Sequence, residues 1–171
     1  MPLPMSHSSF LQNGVRYDLA HLTAFAAGMP NRGEKPDQTL GIVVAFSNHV
    51  YTNRTKYGDQ HDFVDHHGTK RTFDHDRFKM SLKLPDLIKA AIASDTLTFI
   101  SHSFGGNKNL MLIETDEGRQ WSVVFCFESI PGGVRMEVLS THPRVVNESQ
   151  KNRRHLSYFA RMCLFNQIRV P

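Results

Sequence analysis

The chain has 171 residues, 40% of them apolar, 10% aromatic and 21% charged, a composition that excludes a disordered or coiled-coil protein and suits one domain with a sizeable core. Only two cysteines, Cys126 and Cys163, are present, which excludes a disulfide scaffold and leads us to expect a reducing, cytoplasmic setting. Lys and Arg outnumber Asp and Glu by 20 to 16, a formal charge of +4 that permits a polyanionic partner without requiring one.

No run approaches the roughly 18 apolar residues of a membrane span. Leu19–Ala27 follows Asp18 rather than a basic region and makes a poor signal peptide. Residues 1–14, with their prolines and serines, read as a loose N-terminal arm. Leu19, Leu22 and Ala26 have helical spacing and predict a helix from Asp18 to about Ala27, closed by Gly28, although Tyr17, Leu19 and His21 also alternate as a strand would. A connector rich in Pro and Gly follows over 30–38. Ile42, Val43, Val44 and Phe46 then predict a buried strand at 41–47 that delivers Ser47, Asn48 and His49 to its rim. Residues 53–72 have almost no hydrophobic period and read as a long His/Asp-rich loop, a length that inside a compact domain is functional or disordered. Asp74 is a helix N-cap, with Phe78 and Leu82 on the buried face. Pro85 predicts an interruption before a second helix over Asp86–Ser94.

From Thr96 the period changes to that of strands. Four runs, 96–103, 108–115, 119–128 and 133–141, are separated by glycine-containing turns and predict an antiparallel meander over about 96–141. Trp121–Glu128 is apolar on both sides and should be central. In such a meander His102 and His142 lie on opposite rims, about 23 Å apart at roughly 3.3 Å per residue, and should not share a site. Asn147 and Gln150 suit a capping box that opens a C-terminal helix over about 148–167, with Leu156, Phe159, Ala160, Cys163 and Leu164 facing the core. The expected fold is thus α+β. It is a single domain over 1–171, with a four-stranded antiparallel meander, an additional strand at 41–47, and helices packed against them.

His49 is the histidine best placed for chemistry, because a rigid strand holds it and its ordinary pKa lies near neutrality. We expect it as acid or base, with Asp65, Asp74 and Arg77 as catalytic partners and Asn48 and Thr52 as substrate contacts. His61, His66, His67 and His75 are the residue types of a Zn, Mn or Fe site, but no H-E-x-x-H or Cys-x-x-Cys pattern organises them, and a solvated loop is the competing reading. Lys151, Arg153 and Arg154, with His155, form the strongest basic cluster, suited to a phosphate or simply to solvent. Cys126 and Cys163 read as core residues rather than nucleophiles.

These features favour a phosphodiester- or nucleotide-processing enzyme using RNase-like acid/base chemistry on a nucleic acid or other phosphate-bearing substrate. The alternatives are a non-catalytic module binding nucleic acid or protein, and a metal-dependent hydrolase built on the His/Asp segment. In outline, helices followed by a four-stranded meander and a basic patch are similar to small bacterial messenger-cleaving toxins, a likeness of architecture that transfers no residue.

Overall fold

The computed structural model describes residues 7–30, 39–104, 107–143 and 148–170, without the side chains of 101–104, 107–108 and 148–152. The chain opens with a hairpin of β1 (Phe10–Gln12) and β2 (Val15–Tyr17). Its Asn13–Gly14 turn has φ of 49° and 77°, the positive values that a two-residue hairpin turn needs. The helical spacing over 18–27 is overridden. A single 3₁₀ turn at Ala20–Leu22 leads into β3 (Phe25–Pro30), which pairs antiparallel with β4 (Thr39–Phe46). Phe25, Ala27 and Met29 alternate opposite Val44, Ile42 and Leu40, so tertiary pairing outweighs local periodicity.

After β4 comes a second 3₁₀ turn, Asn48–Val50. Residues 53–72, read as loop, contain most of a second sheet: β5 (Thr52–Arg54), β6 (Phe63–Val64) and β7 (Lys70–Phe73), in the order β5-β7-β6. Helix α1 runs unbroken over His75–Ser94 with Pro85 inside it, so the predicted pair of helices is one. The proline forfeits one intrahelical hydrogen bond, while Met80, Leu84, Ile88, Ala91 and Ile92 keep the buried stripe continuous on both sides of it. Next come β8 (Leu97–Phe104), β9 (Asn107–Asp116), β10 (Arg119–Ile130) and β11 (Gly133–His142), then β12 (Glu148–His155) and α2 (Leu156–Asn166).

The fold is α+β, with a seven-stranded mixed sheet curled into a half-barrel and two helices. This corrects the expected meander of four strands with one addition. The sheet order is β12-β8-β9-β10-β11-β4-β3, so the four central hairpin-linked strands are extended at both edges. On one side β4 lies parallel to β11, with Val134 opposite Ile42 and Val138 opposite Phe46. On the other, β12 pairs with β8 where the C-terminal helix was expected to begin. Glu148–His155 has no apolar stripe to bury as a helix, and the apolar run starts only at Leu156. The anticipated cap, Asn147, lies outside the described residues. His155 supplies no side-chain cap to α2, and Asp95 does so from the end of α1, accepting the Ser157 N–H at 2.7 Å and its hydroxyl at 2.8 Å. The toxin-like outline rested on the four-stranded form and falls with it.

Strand β10 is the middle strand of the seven, and from Trp121 to Phe127 no residue exceeds 5% exposure. Trp121, Val123, Phe125 and Phe127 face the core shared with α1 and α2, alongside Leu110, Leu112, Met136 and Val138. Cys126 and Cys163 are both buried, and burial pushes the Cys126 thiol up to about 11, leaving it protonated and inert at neutral pH. Among the described residues no helix is long and apolar enough to cross a membrane.

Candidate functional site

His49 stands on the 3₁₀ turn that ends β4. Ser47 fixes that turn, accepting the His49 N–H at 3.0 Å and donating its own hydroxyl to the Leu139 carbonyl at 3.0 Å. The imidazole meets Asp65, with Nε2 and Oδ2 2.9 Å apart. Asp65 is 8% exposed, and its Oδ1 accepts the N–H groups of His67 and Thr69, both at 2.9 Å. Burial pushes this carboxyl up, but the hydrogen bonds from His49, Thr69 and His67 prevail and hold it at about 2. An ionised carboxylate only accepts, so Nε2 carries the proton and the neutral ring keeps its lone pair on Nδ1. Burial lowers the pKa of His49; Asp65 opposes that shift, and Arg71 and Arg77 reinforce it. A neutral imidazole whose proton location is fixed by a carboxylate is competent as a base near pH 7.

Two arginines brace the turn and the start of β5 that follows it. Arg77, from the first turn of α1, gives Nη1 to the carbonyls of His49 at 2.9 Å and Thr52 at 2.8 Å. Arg71, from β7, reaches Thr52 Oγ1 at 3.1 Å with Nε and the Thr52 carbonyl at 2.9 Å with Nη2. Thr52 Oγ1 donates in turn to the Asn48 carbonyl at 2.8 Å. Asn48 and Thr52 are 7% and 0% exposed, so both serve the turn from within rather than offering themselves to a ligand.

Beside this turn lies a cleft of about 250 Å³ lined by Asn53, Asp74, Asp76, Arg77, Trp121, His142 and Pro143. Asp74 is committed to structure there: Oδ1 accepts the Arg77 N–H at 2.8 Å, and Oδ2 accepts from the Asn53 amide. Arg77 links the two places, lining the cleft while holding the His49 carbonyl. The sequence had placed His142 only on a rim away from His102. The fold brings that rim against the start of α1.

The remaining candidates scatter. His61, His66 and His67 are exposed, the last two with ring centroids 3.8 Å apart. His75 is occupied near the N-terminal hairpin, 3.1 Å from Gln12 Oε1 and 3.4 Å from the Tyr17 hydroxyl. Among the described residues no group of three or more His, Cys, Asp or Glu side chains is placed to hold a metal ion. Arg153 and Arg154 are exposed on β12 rather than at a helix start, with the Arg154 guanidinium 5.8 Å from the Tyr158 ring centre; the Lys151 side chain lies outside the described residues.

Sequence reasoning counted Arg71 only as part of the distributed positive charge and gave it no role in a site. Its only signal is an arginine between Lys70 and Thr72 in a stretch without hydrophobic period, which marks nothing by itself. Asn53, Asp76 and Trp121 were missed as cleft residues for a similar reason, since only the tertiary fold assembles that wall. No curated protein and no solved structure matches this chain. A family model does match over residues 8–165, from just before the first hairpin to the penultimate residue of α2, and by that match the chain belongs to the YjaZ family.

Proposed function

We propose that the protein is an acid/base enzyme acting on a phosphate-bearing substrate, a nucleotide or nucleic acid, with His49 as the proton-transfer group. The observation that carries this reading is the 2.9 Å contact from His49 Nε2 to a buried, ionised Asp65, which leaves Nδ1 as the basic nitrogen on a ring 28% exposed. In the proposed step an attacking hydroxyl or water gives its proton to Nδ1 as its oxygen bonds to phosphorus. The P–O bond to the leaving group breaks, and the departing oxygen takes that proton back from the imidazolium or another from water. Nearby guanidinium charge offsets the charge that builds on the phosphoryl oxygens. Asp65 and Arg77 act as positioning residues, the first on the ring and the second on the backbone beneath it. Asp74, a helix cap, has no part in this scheme, and the metal-dependent alternative has no converging ligand set among the described residues to support it.

A second reading, a non-catalytic binding module, has its own observation. Asp65 also holds two N–H groups of its own turn, so the same contact fastens residues 65–69 to the sheet. One comparison separates the two. A panel of nucleoside phosphates and short RNA and DNA strands is assayed for turnover with the parent protein and with His49→Ala. The catalytic reading expects turnover that falls by about 10²–10⁴ in the variant while urea unfolding shows it still folded, with a stability loss of no more than about 2 kcal/mol. Binding of the same panel with no turnover, or turnover indifferent to His49, supports the module and overturns the enzyme.

A further inference from the structure

We propose that Arg54 and Arg71 form a phosphate-binding subsite beside His49. The register of the small sheet sets Arg54 directly opposite Arg71 across β5 and β7, on one face. Like charges in directly opposed positions repel, and a sheet of three short strands has little stability to spare for that. Arg71 is also 7% exposed, so its charge has left most of its hydration behind. Among the described residues its guanidinium hydrogen-bonds only to Thr52, a hydroxyl and a carbonyl, neither of which neutralises a cation. Nη1 has no hydrogen bond among the described residues. None of the ion pairs within 4.0 Å among those residues includes Arg54, Arg71 or Arg77.

The local charge balance points the same way. Arg71 lies within electrostatic range of Arg77, Arg54 and a single carboxylate, Asp65, and that carboxylate is engaged by His49 and two backbone N–H groups. Asp74 is the acidic neighbour of Arg77 and caps α1. Asp62 is turned to the Phe73 N–H at 2.8 Å. Arg71 and Arg77 therefore act on His49, with Arg54 beside Arg71, and their nearby carboxylates are already engaged. A phosphate oxyanion fits the deficit, because guanidinium edges present paired donors at the spacing of its oxygens and an anion bridging Arg54 and Arg71 removes their repulsion. The subsite deepens the function proposed above and rests on it for choosing phosphate over other anions. It assigns the anion to β5 and β7 rather than to the basic cluster on β12.

The test is titration of the parent protein with inorganic phosphate, followed by calorimetry at fixed ionic strength with acetate as the control anion. Saturable phosphate binding that acetate does not reproduce is expected. Arg54→Ala, which removes an exposed side chain, should weaken it by about tenfold or more, as loss of one charge-assisted contact does. Arg71→Lys keeps the charge but not the fork and should weaken it similarly; if that variant does not fold, Arg54→Ala decides alone. His49→Ala should bind phosphate within about threefold of the parent. Absence of saturable binding at about 10 mM phosphate, a weak affinity of only a few kcal/mol, overturns the subsite, as does undiminished binding in Arg54→Ala. Phosphate binding that needs Arg54, in a protein with no turnover, keeps the subsite and sinks the enzyme. Turnover that needs His49 but is unaffected by Arg54→Ala and uninhibited by phosphate keeps the enzyme and sinks the subsite.

Discussion

Replacing Asp65 with Asn isolates the contact on which the site depends. The carboxyl is held at about 2 against an ordinary 3.8, even though burial pushes the other way. At about 1.4 kcal/mol per unit, the shift corresponds to about 2 kcal/mol of folding stability carried by the ionised side chain. A depressed carboxyl contributes fully above the unfolded value, about pH 4, and its contribution disappears as pH falls toward 2. Asp65→Asn should therefore lose about 2 kcal/mol at pH 7, and the acid-induced loss between pH 4 and 2 should shrink accordingly. His49 adds a second pH effect. Its pKa is lowered by burial, so as pH drops below the ordinary 6.5 the unfolded chain takes up that proton first and the folded state loses stability. In the variant the favourable contacts of Asp65 are gone while burial, Arg71 and Arg77 remain, so the His49 pKa should fall further. The Asn amide can also donate to Nε2, which moves the ring proton to Nδ1 and removes the lone pair that the proposed base requires. Urea unfolding between pH 2 and 8, with an NMR titration of the His49 ring, measures both quantities. A His49 pKa that rises or stays put in Asp65→Asn would refute the electrostatic account of the site.

Two further predictions concern the scaffold. Phe125 is fully buried in the middle strand, so Phe125→Ala should cost about 3–5 kcal/mol in denaturant unfolding through lost burial and a cavity, and a loss below about 1 kcal/mol would contradict its central placement. Gly133 starts β11 where that strand runs against β4, and a Cβ there would meet the Gly41 carbonyl oxygen at 2.6 Å. Gly133→Ala should therefore cost about 1–3 kcal/mol by forcing β4 and β11 apart, and a variant as stable as the parent would argue against their parallel pairing.

The parts of the fold that could be read from the sequence are those whose cause is local. The turns at Glu117–Gly118 and Gly132 take positive φ where glycine-containing separators predicted hairpins, and the alternation of Trp121–Phe127 marks a strand covered on both faces. What could not be read depends on partners far away in the chain. Phe25–Pro30 is a strand because β4 lies beside it, and β4 joins β11 across roughly ninety residues, a pairing with no trace in the local pattern of either strand. Glu148–His155 carries a plausible capping sequence, yet eight largely polar residues gain little by forming a helix and more by completing a sheet edge. Pro85 does not divide α1 as its sequence position suggests. A helix with core residues on both sides of a proline can absorb one missing hydrogen bond.

The candidate site divides along the same line. His49 was legible because a strong strand signal ends beside it, and Asp65 because a carboxylate on the following segment can fold back. Which of several carboxylates does so was not legible, since Asp62, Asp65, Asp74 and Asp76 look alike in sequence. The structure separates them by what their oxygens accept: Asp62 takes the Phe73 N–H, Asp74 takes the Arg77 N–H, and Asp65 alone of these takes the His49 ring. Arg77 holds the His49 carbonyl and Arg71 the Thr52 carbonyl, a group that every residue possesses and no sequence motif records. Their placement also explains how a short 3₁₀ turn can hold a side chain steadily. Three residues supply few hydrogen bonds of their own, but Arg77 from α1 binds the His49 carbonyl, Thr52 Oγ1, itself held by Arg71 from β7, binds the Asn48 carbonyl, and Ser47 binds the N–H side. Among the described residues Arg71 bonds there only to neutral oxygens of Thr52, so its charge is also the one on which the proposed phosphate subsite draws. If both proposals hold, the positioning of His49 and the attraction of an anion share Arg71, and a substitution there should weaken both.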